Sequence, residues 1–263
     1  MSYWNYTDYI YEPGGRKKLN YFIDKISSLE KELGLKKEQV RILDIGCGNG
    51  NIACPLASIG YNVTGIDENE NAIKNAKQRN MFATAKFIKQ DVLEADISNQ
   101  FEVIIASEVL EHIKKPDSLL KVVNQLLLDK GIFLISIPNG FSIEEVVRRF
   151  STHTKIGRGI KKHLRKKLFI KENVQSAADS PHLFFFSLKS FTKVLQANDF
   201  CLTDVKNGSL FFKGFFYLLA RSFISRKSRL FQILDRIDYI LADKILLDLG
   251  EDWLISARRF NKA

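Results

Sequence analysis

The feature that most limits how this chain can fold is a rhythm that begins at Val40, where short β-branched runs alternate with amphipathic stretches of helical spacing. Residues 41–45 read as a strand, 52–59 as a helix, 62–66 as a strand and 69–80 as a helix. Further strands are expected at 85–89, 103–106 and 132–137. A parallel sheet satisfies this alternation, because each helix carries the chain back across the sheet before the next strand runs the same way. The sequence therefore predicts an α/β protein with a doubly wound sheet and right-handed crossovers.

Ahead of that core, Phe22, Ile26, Leu29 and Leu33 recur at three- and four-residue spacing and place a helix over 21–33. Residues 1–40 are expected to form an N-terminal helical lid on a single domain of residues 41–263, a length that suits one elaborated domain better than two enzymatic ones. The regular pattern breaks at Pro138-Asn139-Gly140 and returns as a helix over 187–198, a strand at 201–205 and a last strand at 253–260. Two insertions remain, at about 141–186 and 208–251. The second is too long for a plain loop and should contain helices of its own.

Charge is concentrated in the first insertion. Arg148, Arg149, Lys155, Arg158, Lys161, Lys162, Arg165, Lys166, Lys167 and Lys171 stand together with no acidic residue among them, and these ten charges equal the whole net charge of +10. Apolar Ile156, Ile160, Leu164, Leu168 and Phe169 are interleaved, so the segment suits a helix with one cationic face. The second insertion adds an aromatic-rich run from Phe211 to Ile224, flanked by Arg221, Arg226, Lys227 and Arg229. An apolar face with a basic rim is expected at an anionic membrane surface; two helices packed together as a substrate lid is the competing reading.

Other classes are disfavoured by what the chain lacks. Cys47, Cys54 and Cys201 provide neither a disulfide framework nor zinc-ligand spacing, which fits a reducing compartment. The opening Met1 to Tyr6 has no signal-peptide character, and the most apolar stretch, 210–224, is interrupted by Lys213 and Arg221. A cytoplasmic protein, peripheral at the inner face of the membrane, is expected.

The first strand runs into Leu43-Asp44-Ile45-Gly46-Cys47-Gly48-Asn49-Gly50, a glycine-rich turn that lets the backbone approach a ligand closely. A dinucleotide fingerprint would want its third glycine at position 51, where Asn51 stands. Asp67 ends the second strand and Asp91 follows the third. Three strand ends thus point into one crevice, where open α/β sheets bind ligands.

The order Asp-x-Gly-x-Gly-x-Gly, then Asp67, then Asp91 resembles the class I S-adenosylmethionine-dependent methyltransferases. That resemblance implies a Rossmann-like, seven-stranded, mostly parallel sheet with its last strand antiparallel and two helical insertions. It also implies S-adenosylmethionine as cofactor, with S-adenosylhomocysteine as product. Asp67 would accept from the ribose hydroxyls and Asp91 would bond the adenine amino group, with Asp44, Gly46, Cys47, Gly48, Glu68 and Val92 completing the contacts. An acidic residue at a strand end is otherwise an ordinary helix cap.

Within the class, Ala106-Ser107-Glu108-Val109-Leu110-Glu111-His112 is similar to the ubiquinone-biosynthesis O-methyltransferase group. By that resemblance Ser107 contacts the cofactor, Arg16 meets its carboxylate, and Glu108, Glu111 and His112 are the catalytic candidates. The two glutamates and the histidine are associated with a divalent metal in that group, and on a helix positions 108, 111 and 112 share a face. The metal is the less favoured reading. His112 is read first as general base for a hydroxyl acceptor, with a structural role as the alternative. Arg16 is equally readable as a surface arginine.

The Asn/Asp-Pro-Pro-Tyr/Phe signature of enzymes that methylate base amines is replaced by Ser107-Glu108-Val109-Leu110, which argues against exocyclic amines as acceptors. The run His182 to Ser187 resembles segments of methyltransferases from polysaccharide and lipid pathways. A small, lipid-linked or glycan-linked acceptor is therefore expected. RNA-directed methylation has the right charge but no recognisable RNA module. A non-catalytic cofactor-binding or membrane-adaptor protein is the other alternative.

Overall fold

A computed structural model of the chain describes residues 2–94, 97, 99–142, 145–146, 182–213 and 224–260. Seven strands form one sheet: β1 (Arg41–Ile45), β2 (Asn62–Asp67), β3 (Ala85–Lys89), β4 (Phe101–Ser107), β5 (Leu127–Pro138), β6 (Phe200–Asn207) and β7 (Asp252–Arg259). Their spatial order is β3-β2-β1-β4-β5-β7-β6. Strands β1 to β5 pair in parallel, while β7 runs antiparallel to both β5 and β6. The chain leaves β1 toward β2 on one side and returns through β4 on the other, so the C-terminal end of β1 is a topological switch point.

Both faces of the sheet are covered, and the side-chain alternation of β4 shows how. Val103 and Ile105 enter one core cluster with Phe22, Ile26 and Leu29 of α1 (Gly15–Leu33) and Leu56 of α2 (Ala53–Ile59). Ile104 and Ala106 enter the other with Leu119, Leu120 and Val123 of α4 (Pro116–Leu126) and Phe191 and Leu195 of α5 (Leu188–Ala197). Helix α3 (Glu70–Arg79) connects β2 to β3, capped by the Asn69 side chain, which accepts from Asn71 N and Ala72 N. Period 2 in the strands and 3.6 in the helices thus feed two layers of buried side chains.

The predicted strands agree with the observed ones to within a few residues. The longest departure is β5, which begins at Leu127 rather than 132 because residue 127 already pairs with Phe101 across an irregularity in the ladder. The helix expected at 21–33 starts earlier, at Gly15, and Leu19, Phe22 and Ile26 on it are fully buried. In the first insertion, residues 182–186 run beside the segment after β4. In the second, α6 (Arg229–Ala242) is one of the expected helices. The basic stretch 148–171 and residues 214–223 lie outside the described residues.

Candidate active site

The turn after β1 is built on backbone conformations that favour glycine. Gly46 and Gly48 have φ of 65° and 52°. A Cβ on Gly46 would sit 2.6 Å from Val109 Cγ2, which shows how closely the turn packs on the segment after β4. A Cβ on Gly48 would meet nothing within 4 Å, so the backbone there borders open space. Asp67 anchors the turn: its Oδ2 accepts from Gly48 N at 2.8 Å and its Oδ1 from Asn69 N at 2.8 Å. Each carboxylate oxygen has a second lone pair left for a ligand.

Beneath the turn, Asp44 is buried, and its Oδ2 has no hydrogen-bond partner. Burial, reinforced by the nearby Asp67 carboxylate, pushes its pKa up to about 8. Cys47 is buried, and Glu68 and Asp91 are exposed at the ends of β2 and β3. Asp91 Oδ1 accepts from Leu93 N at 2.9 Å, and Val92 is buried beside it.

The segment after β4 is a turn, not the helix face expected for residues 108, 111 and 112. The reason is local: Glu108 takes a left-handed φ of 56°, which ends regular structure at once. That conformation sends the two glutamates into opposite environments. Glu108 Oε1 accepts from Lys18 Nζ at 3.0 Å and Ser136 Oγ at 2.8 Å, with Lys213 Nζ 3.9 Å from its Oε2. Burial alone would raise its pKa, but the lysine charges and these hydrogen bonds outweigh burial and hold the carboxyl well below the usual range. Lys18, desolvated yet paired with Glu108, is correspondingly raised. Glu111 is fully buried, and neither carboxyl oxygen has a hydrogen-bond partner. Burial first and the Glu108 charge second push its pKa well upward.

His112 stands at the mouth of this arrangement, its side chain 24% exposed and Nε2 3.8 Å from Glu111 Oε1. Its ring packs edge-to-face on His182, centroids 4.8 Å apart, and His182 Nδ1 is 3.2 Å from Glu145 Oε1. Residues 182–184 are held there because Leu183 N and Phe184 N both donate to Glu111 O. Among the described residues, the side chains with ligand atoms within 4.8 Å of one another are Glu111, His112 and His182. Glu108, committed to Lys18 and Ser136, is not among them. The arrangement does not fit a divalent ion held by Glu108, Glu111 and His112.

The structure thus brings Asp44, Gly46, Gly48, Asp67, Ser107, Glu108, Glu111 and His112 to the C-terminal ends of β1, β2 and β4. Ser107 Oγ lies 2.8 Å from Ser136 Oγ. The Arg16 guanidinium lies over the Trp4 ring at 5.4 Å, and Lys18, two positions on along α1, pairs with Glu108. Sequence reading missed Lys18, Ser136, Glu145, His182 in its contact with His112, and Lys213. Helical spacing offered one signal: Lys18 falls in register with Phe22, Ile26 and Leu29 on the buried face of α1. The pairings of the others join segments 28 to 105 residues apart, which no local pattern encodes.

With this geometry in place, comparison with known proteins is informative. A family profile described as a methyltransferase domain matches residues 16–205. The ubiquinone biosynthesis O-methyltransferase of Rickettsia canadensis is 35% identical over 127 residues, covering 46% of this chain and 51% of that protein. The Rickettsia bellii enzyme of the same name is 32% identical over 126 residues, 46% of this chain and 50% of its own. The chain therefore spans about half the length of the curated relatives it matches. Magnesium protoporphyrin IX methyltransferase from Synechocystis PCC 6803, solved with bound SAH, shares the fold at a TM-score of 0.53 and 15% identity, over 94% of this chain and 83% of that one. The strand order, the glycine turn and these matches lead to one conclusion: the chain belongs to the methyltransferase domain family, on the fold of the class I S-adenosylmethionine-dependent methyltransferases.

Proposed function

We propose that this protein binds S-adenosylmethionine in the crevice over Gly46 and Gly48 and methylates a hydroxyl on a small, lipid-linked or glycan-linked acceptor. The cradle fits such a ligand: open space above Gly48, the Asp67 carboxylate on its rim and an unpartnered Asp44 oxygen below. Asp67 would hold the ribose hydroxyls and Asp91 the adenine amino group, with Cys47, Glu68, Val92 and Ser107 lining the site. Arg16 would meet the cofactor carboxylate, and Lys18 is a further α1 cation that acts on that end through Glu108. When bound, S-adenosylmethionine supplies a methyl group already activated on a sulfonium, so the protein's task is alignment and removal of one proton.

The observation that carries the reading is the pair of histidines beside the buried Glu111. His112 takes the proton from the acceptor hydroxyl as its oxygen attacks. Imidazole is the side chain best suited to taking up such a proton near neutral pH. His182 packs on the His112 ring and restricts its orientation, while Glu145 faces Nδ1 of His182. The match to ubiquinone biosynthesis O-methyltransferases supports an oxygen acceptor, and their name supports a lipid-linked one.

Incubating the protein with methyl-labelled S-adenosylmethionine and a lipid extract tests this directly. Label should enter an organic-soluble, hydroxyl-bearing product. Label that enters RNA instead, or cofactor that binds without any transfer, would replace the reading with an RNA-directed or a non-catalytic one.

A further inference from the structure

Helix α6 is amphipathic in the reverse of the usual sense. Its two acids are buried, Asp235 at 4% and Asp238 at 2% exposure, whereas Leu230, Ile233, Ile237, Ile240 and Leu241 are between 38% and 55% exposed. At 3.6 residues per turn these five fall within an arc of about 100°, a continuous stripe along the helix. The inward acids explain why the helix sits this way round. Asp238 accepts from Ser209 Oγ, Leu210 N, Phe211 N and Phe212 N, and Asp235 accepts from Gly14 N at 2.8 Å. Phe231 and Ala242 fill the rest of the buried face. These bonds tie α6 to the start of α1 and to the segment that carries Lys213, leaving its apolar stripe outward.

We propose that this stripe docks the protein on an anionic lipid surface. The inference deepens the lipid-linked reading given above, on which it rests for the reason the enzyme would approach a lipid at all. Charge decides the occupant. Arg229 and Arg236 border the stripe and Lys227 and Lys244 flank its ends, all exposed. Neither acid of α6 faces outward, and the adjoining Asp243 is paired with Lys17 at 2.7 Å. Leu246 and Leu249, just beyond the helix, are 76% and 62% exposed and extend the apolar surface. An apolar band with a cationic edge matches the boundary between acyl chains and anionic head groups. A second copy of this chain would set the same basic edge against itself in a two-fold contact, in a chain of net charge +10. No helix among the described residues is long and apolar enough to cross a membrane, so the contact is with the surface.

The test is flotation of the full chain with vesicles of phosphatidylglycerol and phosphatidylcholine in equal parts, against phosphatidylcholine alone. The wild type should float with the anionic vesicles, and less so as salt rises. The combined variant Ile233→Ser, Ile237→Ser, Leu241→Ser should lose at least tenfold in partitioning while its Tm and its affinity for S-adenosylhomocysteine stay at wild-type values. Arg229→Gln with Arg236→Gln should bind several-fold more weakly and with a shallower salt dependence. A wild type that ignores anionic vesicles at low salt, or a triple variant that floats equally well, overturns the proposal. So does a wild-type dimer in light scattering that the triple variant turns monomeric in the absence of vesicle binding. Methyl transfer is scored separately, so docking can fail while transfer to a soluble acceptor stands, and the reverse.

Discussion

Around Gly46, Gly48 and Asp67 the site is made by residues that follow directly from strand ends and are close in sequence, with backbone geometry doing most of the shaping. The corner around His112 is made differently. Lys18 comes from α1, Ser136 from β5, His182 from the end of the first insertion and Lys213 from the second, all converging on residues 108–112 after β4. The first region has the form of a fixed cradle for a constant ligand. The second depends on elements inserted between the regular strands and helices of the fold, which is where an enzyme of this class can change its acceptor without disturbing its cofactor.

The strongest way to break this comparison is to fill the cradle. Gly48→Leu places a side chain into space where no protein atom lies within 4 Å of the Cβ. Its left-handed φ costs about 1–2 kcal/mol in stability, whereas affinity for S-adenosylmethionine should fall by roughly 100-fold, a loss of about 2.7 kcal/mol, since ligand and side chain compete for the same volume. Calorimetry on the folded variant reads both. An affinity close to wild type would show that the cofactor does not lie over this glycine.

A second variant probes the assembled corner. Lys18→Met removes the cation 3.0 Å from Glu108 and leaves its carboxylate, among the described residues, with Ser136 and the more distant Lys213. Breaking a largely desolvated pair should cost about 3 kcal/mol in a denaturant melt. Adding Glu108→Gln should recover part of that loss, because the stranded charge is then gone. Additive losses would mean that the two residues are not coupled.

A smaller effect concerns pH and the unliganded cradle. The Asp44 carboxyl, raised to about 8 in the folded protein, keeps a proton that the unfolded chain gives up near pH 4. The folded state thus binds more protons across that window, and the stabilising contribution is complete below it and lost as pH rises toward 8. Asp44→Asn should therefore reduce the decline in Tm between pH 5 and pH 8 by roughly 5 °C. Parallel Tm curves for the two proteins would contradict the assignment.

Much of the first region was legible in the sequence because its information is local. β-branched runs gave the strands, and Gly46, Gly48 and Asp67 stood at strand ends where their spacing was visible. The second region was legible only in its centre. The segment from Ser107 to His112 was visible, but its conformation was not: one left-handed residue, Glu108, turned an expected helix face into a turn with its two glutamates apart. Arg16 and Lys18 illustrate the same limit. Both are basic and two positions apart on one helix, and only packing decides that Lys18 points at Glu108 while Arg16 covers Trp4. The inverted polarity of α6 was hidden as well, since Asp235 and Asp238 read as solvent-facing until their backbone partners are known.

The division between cradle and corner is tested most directly by measuring turnover and S-adenosylhomocysteine affinity together in His112→Ala. With His112 as the proposed general base, turnover should fall by about 10² to 10⁴, the range for loss of such a group, while affinity stays within about twofold, a change below roughly 0.5 kcal/mol. Turnover at the wild-type level would remove His112 from the chemistry, and a loss of affinity matching the loss of turnover would show that the two regions are one.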